Sequence, residues 1–358
     1  MPNTDLKSSP AAQFGRANNF DLIRLLLAVL VILSHSYILF DGRDSSDPLA
    51  AIFHGVTLGE LAVDGFFLLS GYLISWEKTP NLRFFIMKRV LRIYPGFIVA
   101  ALLSALVVGP LGSQAASYFS ELEVFKLVKS MLLLKVPAVP PSFEGLPFPT
   151  VNGSMWTIFF EFVCYVAVAV LGLAGAIRVR RYWLAATLAL VLLDIAQHVL
   201  HFLPSQNFYF PALRLSIFFF IGGCFYLFRE RIPYHLLQPM PMLACGLLLI
   251  AGISNKELPS FILALGAAYL LFSAAFWQQP LLGWYRRFPD MSYGVYLYGW
   301  PVQKLLLWYV PGMTPRALFA SALACSLSLG VLSWYAIERP FMRLKSANWR
   351  FFKFGVNY

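Results

Sequence analysis

Arg24 and His35 stand eleven residues apart in RLLLAVLVILSH, a stretch that is otherwise apolar apart from Ser34. On a helix this spacing is close to three turns, so both side chains share one face about 16 Å apart. That face must look into protein or water, because ionisable groups at membrane depth are costly and mark functional positions. The pair suits a tunnel, with a cation to hold something anionic and a base to work further along. An imidazole titrates near neutrality and fits general-base activation of a hydroxyl. Neither cysteine nor serine stands beside a base in a recognisable motif, so covalent catalysis has no support. Further charges at depth are Glu60 and Asp64 (four apart), Glu161 and Lys304, with Asp21 at the start of the first run. Quieter readings stay open. Arg24 can pair with Asp21, His35 can bond a neighbouring helix, and Glu60 and Asp64 can be helix–helix contacts. His198 and His201 have metal-ligand spacing but no matching third ligand, so no metal is expected. His54 and His235 read as loop histidines.

These groups need helices to position them. Hydrophobic residues make up 59% of the 358 and charged residues 13%, and mean hydropathy is +0.68. A soluble domain could not cover that composition, so the expected class is an all-α polytopic membrane protein. The apolar segments are continuous and near twenty residues long, which favours helices over a barrel. Ten spans are predicted, at 20–40, 57–76, 90–110, 155–174, 182–202, 211–228, 239–254, 258–277, 292–310 and 316–336. With both termini cytoplasmic, inner segments hold 19 Lys and Arg against 7 outside, the asymmetry that sets orientation. The net charge of +11 then reflects loops beside anionic lipid, not nucleic-acid binding.

The first apolar run follows about nineteen polar residues without a small-residue cleavage site, so it reads as a span and not a signal peptide. The layout is a cytoplasmic segment at 1–19, a transmembrane domain at 20–342 and a basic cytoplasmic tail at 343–358. Cys164, Cys224, Cys245 and Cys325 all fall in apolar runs and read as small buried hydrophobes. The longest outer loop, 111–154, opens with ELEVFKLVKSMLLLK, expected to lie along the interface. Its second part, VPAVPPSFEGLPFPTVNGS, is too proline-rich for a helix and is a lid, an acceptor surface or a connector. Asn152-Gly153-Ser154 fits an N-glycosylation sequon.

Several segments resemble the membrane-bound acyltransferase-3 family, whose members O-acylate glycans. NNFDLIRLLLAVLVILSH is similar to its first span, AVDGFFLLSGYLI to its second, and RFFIMKRVLRIYPG to its arginine-rich loop. SMWTIFFEFVCY resembles the Trp-Ser-Leu-x-x-Glu stretch, and MSYGVYLYGWPV and SWYAIERPF resemble the last two landmarks. In order, these cover about residues 18–342.

The resemblance implies a ten-span O-acyltransferase of the bacterial inner membrane that takes acyl-CoA, acetyl-CoA first, and a glycan or lipid-linked oligosaccharide. His35 would be the base or acyl-handling residue and Arg24 its partner, with Glu161 and Asp64 orienting or neutralising the site. Lys88, Arg89 and Arg92, on a cytoplasmic loop before span three, would meet coenzyme A phosphates, as clustered cations suit a polyanion. Positive-inside topology places cations there in any case. Trp156 and Tyr165 are candidate substrate contacts, and no tightly bound cofactor is implied. For the oxyanion, Trp156, a tyrosine or Arg24 are equal candidates. The chain departs from the family at Gly299, where many relatives carry histidine, at Phe162, often acidic, and at Lys88, often arginine. A transporter or lipid-linked glycan flippase would also bury charges. It predicts paired repeats with interrupted helices, and the sequence has neither.

Overall fold

The computed structural model describes residues 18–344, apart from 53–55, 74–81, 114–115, 176–179, 201–208, 233, 235–239, 242–243, 245–256, 278–284 and 286–287. Most of the predicted seventh span, Cys245, His54, His201, His235, most of the 1–19 segment and nearly all of the tail lie outside them. Among the described residues the regular structure is helical and no strand occurs. The helices are α1 (Phe20–Asp41), α2 (Leu58–Tyr72), α3 (Leu82–Leu111), α4 (Val124–Leu132), α5 (Trp156–Leu173) and α6 (Arg180–Leu200). They continue as α7 (Tyr209–Leu227), α8 (Glu257–Phe276), α9 (Ser292–Tyr309) and α10 (Pro315–Leu344). Four candidate spans, Phe20–Asp41, Leu82–Leu111, Gly153–Leu173 and Pro315–Leu344, are long and apolar enough to cross a membrane.

Local chemistry sets the ends. Gly42 stops α1 with φ of +79°, a left-handed conformation that glycine adopts at no steric cost. Thr57 starts α2 with a capping box: its hydroxyl accepts from the Glu60 amide, and the Glu60 carboxylate accepts from the Thr57 amide. Asp47 anchors the same end by accepting from the amides of Leu49, Ala50 and Leu58. Pro95 and Pro301 sit inside α3 and α9, as buried neighbours in membrane helices permit.

Helices α1, α2 and α9 form the centre, with α7 against α2 and α10 against α9 and α1. The α2–α7 contact is the tightest. A Cβ on Gly71 would stand 1.8 Å from the Phe219 carbonyl oxygen, and one on Gly222 2.0 Å from that of Leu68. Small residues there let two backbones touch, the packing mode available to helices in lipid. Of the described cysteines, Cys164 is buried, Cys224 half-buried and Cys325 exposed, so the expectation of uniform burial fails at the outward face of α10.

The sequence reading is corrected at two further points. Helix α3 begins at Leu82, so Lys88, Arg89 and Arg92 lie on the helix and not on a loop before it. The apolar residues among these cations continue the helical repeat. Asn152 is fully buried and donates to Ser104 Oγ (3.2 Å) and the Leu297 carbonyl (3.0 Å), so the sequon serves packing.

Candidate active site

Two cavities lie end to end along α1, α2, α5 and α9, and each helix serves both. One, of about 430 Å³, is lined by Ser34 and His35 of α1, Glu60 of α2, Trp156 of α5 and Trp300 of α9. The other, of about 320 Å³, is lined by Arg24 of α1, Ser70 of α2, Glu161 and Tyr165 of α5, and Ser292 and Tyr293 of α9. Helix α3 adds Arg89 and Arg92 to the second. Arg24 and His35 thus share the inward face of α1 and stand in different chambers.

In the imidazole chamber, the His35 ring meets Trp300 edge-on with centroids 4.9 Å apart. The Trp300 indole is fixed by donating to the Thr150 carbonyl at 2.9 Å. Gly153 leaves room for it, since a Cβ there would stand 2.6 Å from the Trp300 ring. Ser34 Oγ, His35 Nδ1 and Ser154 Oγ are buried on the chamber wall with no hydrogen-bond partner. Buried polar atoms are ordinarily partnered, so three beside one chamber set this region apart. On the opposite side, Arg214 of α7 donates to Glu60 Oε1 and Asp64 Oδ2, both at 2.9 Å. Glu60 and Asp64 are therefore helix–helix contacts, as the quieter reading allowed, and Glu60 also faces the chamber. At its rim, burial together with the charges of Glu60 and Asp47 raises the Asp44 carboxyl above the ordinary carboxylate value.

The proline-rich segment supplies Phe148 and Ser154 to this chamber. Lys304, fully buried, donates to the Pro147 carbonyl at 2.9 Å and stands 5.1 Å from the centre of the Phe143 ring. Its ammonium holds the segment in place and does not enter the site. Phe148 keeps φ at +52°, uncommon for a residue with a side chain.

The second chamber is cationic. Arg24 Nη1 and Arg92 Nη2 converge on Asp290 Oδ2 at 3.2 and 2.7 Å. Arg24 also approaches Asp21 at 3.6 Å. Burial pushes the Asp290 carboxyl up, but Arg92, Arg24 and a hydrogen bond from Ser292 outweigh it and hold the carboxyl well below its ordinary value. Arg89 stands between the rings of Phe85 and Tyr165, at 5.3 and 4.9 Å. Its Nε is buried without a hydrogen-bond partner. Glu161 Oε1 accepts from Ser70 and Tyr165, both at 2.6 Å.

Most predicted site residues are thereby brought together, in two groups. Glu161 and Tyr165 accompany the arginines and not His35. Asp64 is buried beneath Arg214. Lys88 lines neither chamber and stacks over Phe84 at 4.2 Å. Asp290, Arg214 and Trp300 are not singled out by their sequence context, and Ser154 stands out there only as the end of the sequon. Arg214 was visible there as a charge at a span end.

Fold and site together define a helical membrane protein with a cationic chamber and an imidazole chamber on one axis. The chain belongs to the acyltransferase-3 family, whose model, an acyltransferase domain, matches residues 18–335. It is 28% identical to the O-acetyl transferase of Shigella phage Sf6 over 92% of this chain and 98% of that protein. It is 27% identical to Nodulation protein 10 of Rhizobium leguminosarum bv. viciae over 93% and 95%. The exopolysaccharide production protein ExoZ of Rhizobium meliloti is 27% identical over 81% and 92%. No solved structure matches the chain.

Proposed function

We propose that this protein transfers an acyl group, acetyl first, from acyl-CoA to a hydroxyl of an extracytoplasmic or lipid-linked glycan. The observation that carries the reading is the placement of Arg24, Arg89 and Arg92 in one chamber and His35 in the next, along the same four helices. The names of the relatives, an O-acetyl transferase and an exopolysaccharide production protein, agree with it.

In this reading ten spans cross a bacterial inner membrane with both termini cytoplasmic. The donor's phosphates enter the cationic chamber from the cytoplasm, and Arg89 receives them, since Arg24 and Arg92 already share Asp290. The pantetheine arm extends along α1 and brings the thioester to the imidazole chamber. There the sugar lies against Trp156 and Trp300. His35 takes the proton of its hydroxyl, the oxygen attacks the thioester carbonyl, the C–S bond breaks, and the thiolate leaves with the proton carried by the imidazolium. The developing oxyanion needs a donor aimed at it. Arg24 stands in the other chamber, whereas Ser34 and Ser154 line this one, and a turn of either hydroxyl toward the chamber would supply the donor.

The test uses protein in nanodiscs with acetyl-CoA and methyl glucoside, comparing wild type, His35→Ala and Arg89→Ala. Wild type releases thiol, His35→Ala binds donor without releasing thiol, and Arg89→Ala loses saturable binding. Failure of folded wild type to release thiol from any acyl-CoA overturns the reading.

A further inference from the structure

Among the described residues, only Val63 of α2 and Tyr296 of α9 line both chambers. They occupy the point where the path from the cationic chamber to the imidazole chamber passes between helices. Neither is loosely placed. The Tyr296 hydroxyl donates to the Ser154 carbonyl at 2.7 Å. Thr157 Oγ lies 2.7 Å away and must be the donor to Tyr296, whose single hydroxyl proton is already used. Phe66 closes on the Tyr296 ring from the cationic side, with centroids 5.6 Å apart. Tyr296 is thus fixed at its hydroxyl by Ser154 and by Thr157 of α5, and at its ring by Phe66 of α2, while Val63, on the wall of the same two chambers, has a stiff, β-branched side chain.

We infer that Val63 and Tyr296 form the partition through which the acyl group passes, and that the gap between them sets the largest acyl group the protein accepts. The inference rests on the acyl-transfer reading and adds a specificity-determining pair to it. The acyl group leads the donor into the imidazole chamber, followed by the thioester on its pantetheine arm, while the phosphates stay with the arginines. A partition built from one valine and one anchored ring admits a short acyl chain and resists a longer one. Single-methylene differences in apolar sites of this kind change rates by about 10-fold to 200-fold.

The experiment measures thiol release from acetyl-, butyryl- and hexanoyl-CoA, with methyl glucoside as acceptor, in wild type, Val63→Ala, Val63→Leu, Tyr296→Phe and Tyr296→Ala. Val63→Ala and Tyr296→Ala should raise the butyryl-to-acetyl ratio of kcat/KM about tenfold or more. Val63→Leu should lower that ratio, and Tyr296→Phe, which keeps the ring, should hold it within about twofold. Loss of Tyr296→Ala to misfolding leaves the opposed Val63 pair as the test. A butyryl-to-acetyl ratio unmoved in both Val63 variants, with acetyl transfer still measurable, overturns the inference and leaves the acyl-transfer reading standing. Absence of thiol release from all three donors in folded wild type overturns both.

Discussion

Arg24 and Arg92, on different helices, close on one oxygen of Asp290. The shared carboxylate draws these two arginines together in the chamber that also holds Arg89. Asp290→Ala should expose this arrangement by taking from Arg92 its carboxylate and leaving Arg24 with only Asp21, at a cost of about 3–5 kcal/mol. The expected outcome is a large drop in melting temperature, with Asp290→Glu less affected. Because the Asp290 carboxyl is held below its ordinary value, its contribution is complete above the unfolded carboxylate value of about 3.9. It is lost only as pH falls through the lower folded value. Melting curves of wild type and Asp290→Asn should therefore differ by a constant amount from about pH 5 to 8 and converge only in strong acid.

Neighbouring cations on α3 should separate cleanly. Arg89→Ala should weaken acyl-CoA binding about tenfold or more, and Arg89→Lys should restore little of it. A lysine cannot reproduce a planar guanidinium stacked between two rings. Lys88→Ala, on the turn that faces Phe84 and outside both chambers, should bind donor like wild type. Titration of the three variants with acetyl-CoA checks this, and equal losses at 88 and 89 would count against the site.

Gly222→Leu should prevent stable folding. The first added carbon meets the Leu68 carbonyl at 2.0 Å, and backbone cannot yield as a side-chain tip can. Even alanine should cost about 1–3 kcal/mol, the usual range for overpacking. Thermal denaturation in detergent reads the difference.

Gly153→Ala should act on chemistry. Its methyl group would push the Trp300 ring that meets His35 edge-on. Turnover should fall at least tenfold, following the sensitivity of catalysis to small misplacements, while the dissociation constant for acetyl-CoA stays near the wild-type value. A matching loss in both quantities would show a general defect of the fold.

The helices were largely legible because lipid demands continuous apolar runs. Predicted bounds for α1, α5, α6, α7, α8 and α9 fall within a few residues of those observed. Helix α3 starts eight residues earlier than predicted because Lys88, Arg89 and Arg92 look like loop charges until their partners are seen. Two of those partners, Asp290 and the Tyr165 ring, come from distant parts of the chain, and the third, Phe85, lies one helical turn away only once the helix has formed. Asp290 gave no signal, sitting in a short proline-containing connection with no periodicity. The shared face of Arg24 and His35 was readable from spacing alone. That they serve separate chambers was not, because the separation is made by Tyr296 and Val63, two ordinary apolar-run residues in sequence. The role of Arg214 was likewise hidden, since Glu60 and Asp64 are 154 and 150 residues away from it.

The position of Tyr296 matters for the cell as well as for the substrate. A protein that joined a phosphate-binding pocket on one face of a bilayer to a sugar-binding pocket on the other by an open aqueous path would let ions run down their gradient. In the acyl-transfer reading, with an anchored phenol ring and a valine at the junction, only the uncharged acyl end and arm of the donor need enter it, and the coenzyme would fill the path behind. Electrical insulation and choice of acyl group would then come from the same two side chains, so a variant that accepts longer chains should also be the leakier one.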